Sequence, residues 1–116
     1  MSKSIKYQIQ PKEIDADGNE VSLSSYVFQT TYTNKANTAR ELLDANVYVT
    51  LPVIEDQRAV EFQSDQEVIF SILSSGTEIA EFLNCKGLIL IINKDYTYRV
   101  KNMSGSTAKI VWRSYS

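Results

Sequence analysis

The side chains that most often do chemistry are scarce in this sequence. Among 116 residues it has no histidine and one cysteine, Cys85. Serine–histidine and cysteine–histidine nucleophile pairs are therefore impossible, and the commonest general base and most zinc sites go with them. Cys85 has no nameable acidifying neighbour, so a small buried hydrophobe is its expected role. A single cysteine also rules out an intrachain disulfide. The carboxylates of Glu61, Asp65, Glu67, Glu78 and Glu81 could in principle supply a glycosidase pair. Most of them fall on outward strand positions, where a solvated carboxylate is the expectation. The segment Ser74-Ser75-Gly76 lacks the preceding glycine and the histidine of a nucleophile elbow. Four scattered glycines do not make a phosphate loop. No catalytic activity, metal or cofactor is expected.

Two short motifs need a physical test. Residues 15–20, from Asp15 to Glu20, look like the start of a calcium loop. The glycine stands fourth instead of sixth, and Tyr26 occupies the place of the bidentate glutamate. Asp17-Gly18 is better explained as a turn, where glycine takes positive φ without a clash. Asn102-Met103-Ser104 matches the glycosylation sequon, but the N-terminus lacks the apolar segment of a signal peptide, so the match is read as chance.

Aromatic and basic residues form the remaining candidate constellation. Tyr96, Tyr98, Trp112 and Tyr115 come close together if the last three strands pair. Beside them stand Arg99, Lys101 and Arg113. Such a set could stack sugars, with Tyr96, Tyr98 and Trp112 as the platform, or bind single-stranded nucleic acid. The rings alternate with the charges, however, so ring and charge point to opposite sides. That geometry favours a core lined by Tyr96, Tyr98 and Trp112. No nucleic-acid-binding signature accompanies the set, and no nucleic acid partner is expected.

The elements that must position these residues are strands. Gly87 to Asn93 holds five consecutive aliphatics, Leu88 to Ile92, bounded by turn-forming residues. Neither face is polar, which predicts a strand covered on both sides. Residues 4–10 alternate and stop at Pro11; 21–33 form a long β-rich stretch with Tyr26, Phe28, Thr30 and Tyr32 on one face. Thr38-x-x-Glu41 resembles a capping box before one or two helical turns, although an irregular connection fits as well. Val47, Val49, Leu51 and Val53 alternate in a strand that Pro52 places at an edge or bulge. Val60 and Phe62 face inward on a short strand, Ser64-Asp65 turns, and Val68 to Leu73 form another strand. Ser75-Gly-Thr-Glu78, then Ile79, Phe82 and Leu83 at helical spacing and Gly87 at the end, predict a short helix over residues 76–84. Tyr96, Tyr98 and Val100, then Ala108, Ile110 and Trp112, close a β-meander.

Together these predict a single all-β domain, 1–116. Its expected architecture is an antiparallel sandwich, jelly-roll-like, or a small barrel of about eight strands with one short helix. The longest apolar run is about a quarter of a membrane-spanning helix, so no membrane association is expected. Net charge is −2, unevenly spread. Residues 86–116 hold six basic groups against Asp95 alone, whereas residues 1–85 hold six against thirteen acidic ones. A two-signed surface can dock copies of itself.

By analogy of type, small β domains without a catalytic constellation are common among particle subunits. The expected function is a structural, oligomer-forming protein of a phage-type virion: a capsid decoration, fibre-base or tail component. It would reside in the virion, or in the cytoplasm before assembly, with itself and other virion proteins as partners. The expected interface is the C-terminal strand, with Trp112, Arg113, Tyr115, Arg99 and Lys101 as contacts. The alternative is a carbohydrate- or ligand-binding module using Tyr96, Tyr98 and Trp112.

Overall fold

The computed structural model describes residues 2–116. Ten strands run in chain order: β1 (Lys3–Ile9), β2 (Lys12–Ile14), β3 (Glu20–Ser22), β4 (Tyr26–Tyr32), β5 (Lys35–Leu42), β6 (Val49–Thr50), β7 (Ala59–Ser74), β8 (Thr77–Ile91), β9 (Thr97–Lys101) and β10 (Ala108–Tyr115). Every pairing is antiparallel. The all-β expectation therefore holds. Instead of eight strands in a sandwich, the chain builds a half-barrel and a separate two-stranded arm.

The arm is one long hairpin. β1 pairs β4, β2 pairs β3, and the Leu23 amide donates to the Pro11 carbonyl between the two ladders. Its tip is the Asp17-Gly18 turn expected from sequence, with Gly18 at φ 85°. Asp15 fastens that turn: one carboxylate oxygen accepts from the Asp17 and Asn19 amides, both at 2.9 Å, and the other from the Asn19 side chain. These bonds, led by Asn19, hold the Asp15 carboxyl below its ordinary range.

The half-barrel is organised around β7. β8 lies along one side of this strand for its whole length. On the other side, residues 59–64 pair β10 and residues 69–73 pair β9. β5 then adds to β10, and β6 to β9. The expected turn at Ser64-Asp65 is a bulge within one continuous strand. Gln63 pairs Gly87 and Val68 pairs Cys85, so three residues are added on β7. Ser64 Oγ donates to the Gln66 carbonyl at 2.7 Å, and Asp65 accepts from the Lys109 amide at 2.8 Å. A bulge bends its strand and increases twist. Here it folds the β10 and β9 branches over one another.

Between the branches lies the core. Val60, Phe62, Val68, Phe70 and Ile72 point inward from β7, Tyr98 and Val100 from β9, and Ala108, Ile110 and Trp112 from β10. The Tyr98 and Trp112 ring centroids are 5.0 Å apart, and Phe70 touches both. Buried polar tips need partners. Trp112 Nε1 donates to the Pro52 carbonyl, and the Tyr98 hydroxyl donates to Gln57 at 2.9 Å.

Four expectations fail here. Residues 77–84 are strand and Gly76 belongs to the turn before them; no helix exists among the described residues. Ser75 and Gly76 both have positive φ, the requirement of a two-residue type I′ hairpin. They join Ser74 to Thr77, its partner across the ladder. The Thr38-x-x-Glu41 segment is also strand, β5, held by its ladder to β10. The alternation at 47–53 yields only Val49–Thr50, because Pro52 has no N–H to continue pairing. Finally, the Gly87–Ile91 strand is covered on one face only: Leu88 and Leu90 are half-buried, while Ile89 and Ile91 are exposed.

Candidate functional site

The arm lies across the outer face of the half-barrel. At its base, Tyr32 stacks edge-on against Tyr115 of β10, with centroids 4.8 Å apart. Tyr7 next packs on Ala59 of β7 and Tyr115. Farther along, Ile9 and Phe28 face Ile89 and Ile91 of β8 across a groove of about 600 Å³. Arm residues thus meet β10, then β7, then β8. Beyond them, every residue from 12 to 27 is exposed.

Sequence alternation explains which side chains face the groove. Tyr26, Phe28, Thr30 and Tyr32 pair with Ile9, Tyr7, Ile5 and Lys3, so the expected aromatic face of β4 is joined by the apolar face of β1. On the sheet, Ile89 pairs Glu61, which pairs Arg113. These three cross the groove floor with Val111 beside them. The charges on this floor neutralise one another. Glu61 Oε1 accepts from Arg113 at 2.7 Å and from the Tyr115 hydroxyl at 3.1 Å. That hydrogen bond to Glu61 raises the Arg113 pKa further. Burial first, then the Glu61 charge, pushes the Tyr115 hydroxyl up to about 12. The Tyr7 hydroxyl is buried beside the same carboxylate without a hydrogen bond of good geometry, and burial moves it still higher.

A second polar cluster sits on the outer face of the other branch. Arg99 Nε donates to Ser71 at 3.1 Å, and Arg99 Nη2 bridges to Glu78 at 3.1 Å. Ser71 also donates to Glu78. This bond, with Arg99, lowers the Glu78 pKa. Two cations approach the ring of Tyr48: the Arg99 guanidinium lies 4.0 Å and Lys101 Nζ 4.5 Å from its centroid. A carboxylate held ionised in this way is suited to fixing a cation, not to donating a proton.

The residues expected to form one patch are divided. Trp112 and Tyr98 are fully buried, at 0 % exposure each, and Tyr115 is buried at the arm base. No ring face of Tyr98 or Trp112 is open to a sugar. Tyr96 is half-buried, with Lys94 Nζ 5.6 Å from its ring centroid. Arg113 belongs to the groove floor, whereas Arg99 and Lys101 belong to the Tyr48 cluster. The C-terminal strand, expected as a free docking edge, is internal: β10 pairs β5 on one side and β7 on the other. Ser116 extends that anchoring, since its carbonyl accepts from Asn34 at 3.1 Å and its amide donates to Asn34 at 2.9 Å.

Sequence reasoning missed Glu61, Ile89 and Ile91 as groove residues and the arm as an element. The signal for the arm was the Asp17-Gly18 turn flanked by two alternating stretches. No local signal marks Glu61, whose partners lie more than fifty positions away. Outside the groove, the expectation that Cys85 is a small buried hydrophobe holds. Cys85 is buried, and desolvation raises its thiol pKa. Asn102 of the sequon is also buried. Its Nδ2 donates to the Leu42 and Ser106 carbonyls at 2.8 and 2.7 Å, so the nitrogen that would carry a glycan ties the β9–β10 loop to β5.

Among known protein families, characterised proteins and solved structures, none matches this chain.

Proposed function

We propose that this protein is a structural subunit that assembles with copies of itself. Its surface carries the reading. The chain exposes 7425 Å², about 1,000 Å² more than the roughly 6,400 Å² expected of a folded monomer of 13.1 kDa. Its radius of gyration is 15.7 Å, against about 13 Å for a compact chain of this length. Exposed large hydrophobics cluster on the arm (Ile14, Val21, Leu23, Tyr26, Val27, Phe28) and on β8 (Ile79, Phe82, Leu83, Ile89, Ile91). Apolar surface gathered in this way marks a binding face.

The phage-type virion setting, as a decoration, fibre-base or tail component beside other particle proteins, follows by analogy of chain type alone. Light scattering behind a sizing column, over a range of concentration and salt, tests the assembly reading. The expected result is a discrete oligomer. A monomer at every concentration would overturn self-assembly and turn attention to the groove as a ligand site, since its volume falls within the range of small-molecule pockets.

A further inference from the structure

We infer that the β8 edge at Gly87–Ile91 and the exposed outer part of the arm form one self-complementary interface with a second copy of this chain. This rests on the assembly reading and names the surface that serves it.

The edge supplies the first observation. β8 pairs only β7. In an antiparallel ladder alternate residues aim their N–H and C=O groups to opposite sides, so one row of β8 backbone groups has no strand to meet. Proteins usually blunt such edges with charge, proline, brevity or a cover. The other edges of this sheet follow that rule. β5 carries Lys35, Arg40 and Glu41, and β6 is two residues long with Pro52 close behind. From Gly87 to Ile92 there is no charge and no proline. An uncharged, β-branched edge segment of this kind pairs with another strand unless covered.

The arm supplies the second. It crosses the outer face toward β8, and beyond Ile9 and Phe28 its apolar residues are bare. When two β8 strands pair antiparallel about a two-fold axis, residue i meets j and j meets i. The outer part of each arm is then carried onto its neighbour's outer face, where Ile89, Ile91 and Val111 wait. Charge agrees. Glu13, Asp15, Asp17 and Glu20 outnumber Lys12, which pairs with Glu20 at 3.5 Å, in the outer part of the arm, and Lys86 and Lys94 flank the apolar edge that would receive it. Area agrees as well: the excess of about 1,000 Å² per chain matches the roughly 800 Å² per partner of a stable interface.

Three proteins test this: the wild type, Ile89→Lys, and a double arm-tip variant, Val21→Ser with Leu23→Ser. All three changed positions are exposed, so each variant should fold, as buried Trp112 fluorescence would report. The masses are measured across a dilution series, and backbone hydrogen exchange is followed over residues 87–91. The expected result is a wild-type dimer or multiple of it, protection of the β8 amides on association, and at least a tenfold weaker association in each variant. A wild-type oligomer that both variants match within twofold, with unprotected β8 amides, overturns this interface and leaves the assembly reading standing. A wild type that stays monomeric overturns both.

Discussion

The half-barrel interior and the arm are built from the same kind of sequence and meet opposite fates. Both alternate apolar with polar residues. In β10 the alternation buries Ala108, Ile110 and Trp112 completely, because β5 and β7 flank the strand and the β9 branch closes over it. In β4 the same pattern leaves Tyr26 and Phe28 exposed, because among the described residues β1 is the one strand that pairs with it. A two-stranded ribbon is marginal in water by itself. The arm therefore depends on what holds its base, the Tyr7–Tyr32–Tyr115 packing over Glu61, and on whatever covers its far end. Alternation shows which side chains share a face; the number of layers decides whether that face is dry.

The contrast breaks most sharply at Trp112. Replacing it with Ala removes the largest fully buried side chain and its bond to the Pro52 carbonyl. The expected cost is about 3–5 kcal/mol, read as a lower urea midpoint; a loss below about 1 kcal/mol would contradict the core assignment.

Alkaline titration separates the regions next. The folded pKa of Tyr115 is raised to about 12 from an ordinary value of 10.0. Folded protein then holds a proton that unfolded chain has lost, so this stability is intact below pH 10 and falls as pH rises toward 12. The expected loss is on the order of 1–3 kcal/mol. Tyr7 and Tyr98 are shifted farther upward, so Tyr115, at the arm base, titrates first. Arm amides should gain hydrogen exchange at a pH where Trp112 fluorescence is still native. Simultaneous change of both probes would show that arm and core form one cooperative unit.

The smallest effect is expected from Phe28→Ser. In the isolated chain its ring is about half exposed, so stability should change by no more than about 0.5 kcal/mol. A loss several times larger would mean that the arm is packed more tightly than its exposure indicates.

How much was legible can be judged residue by residue. The strands at 96–101 and 108–113 and the Asp17-Gly18 turn could be read locally, since each depends on neighbours within a few positions. The segment 76–84 misled for a physical reason. β8 gains a residue relative to β7 between Phe82 and Cys85 and another between Glu78 and Ala80. These irregularities interrupt its period of two, and Ile79, Phe82 and Leu83 then fall at spacings that imitate a helix. The groove was illegible because Ile89, Glu61 and Arg113 meet only through two ladders.

The sequence by itself determined the class of this protein, the alternation of its strands, the turns that need left-handed backbone, and the absence of any histidine chemistry. Only the tertiary structure decided that Gly87–Ile91 is an edge, that Trp112 and Tyr115 are inside, and that residues 12–27 stay exposed. Side-chain alternation is a property of neighbouring residues, whereas burial requires a partner strand or layer. Here those partners lie far along the chain, with β7 brought against β10 and the arm laid across both.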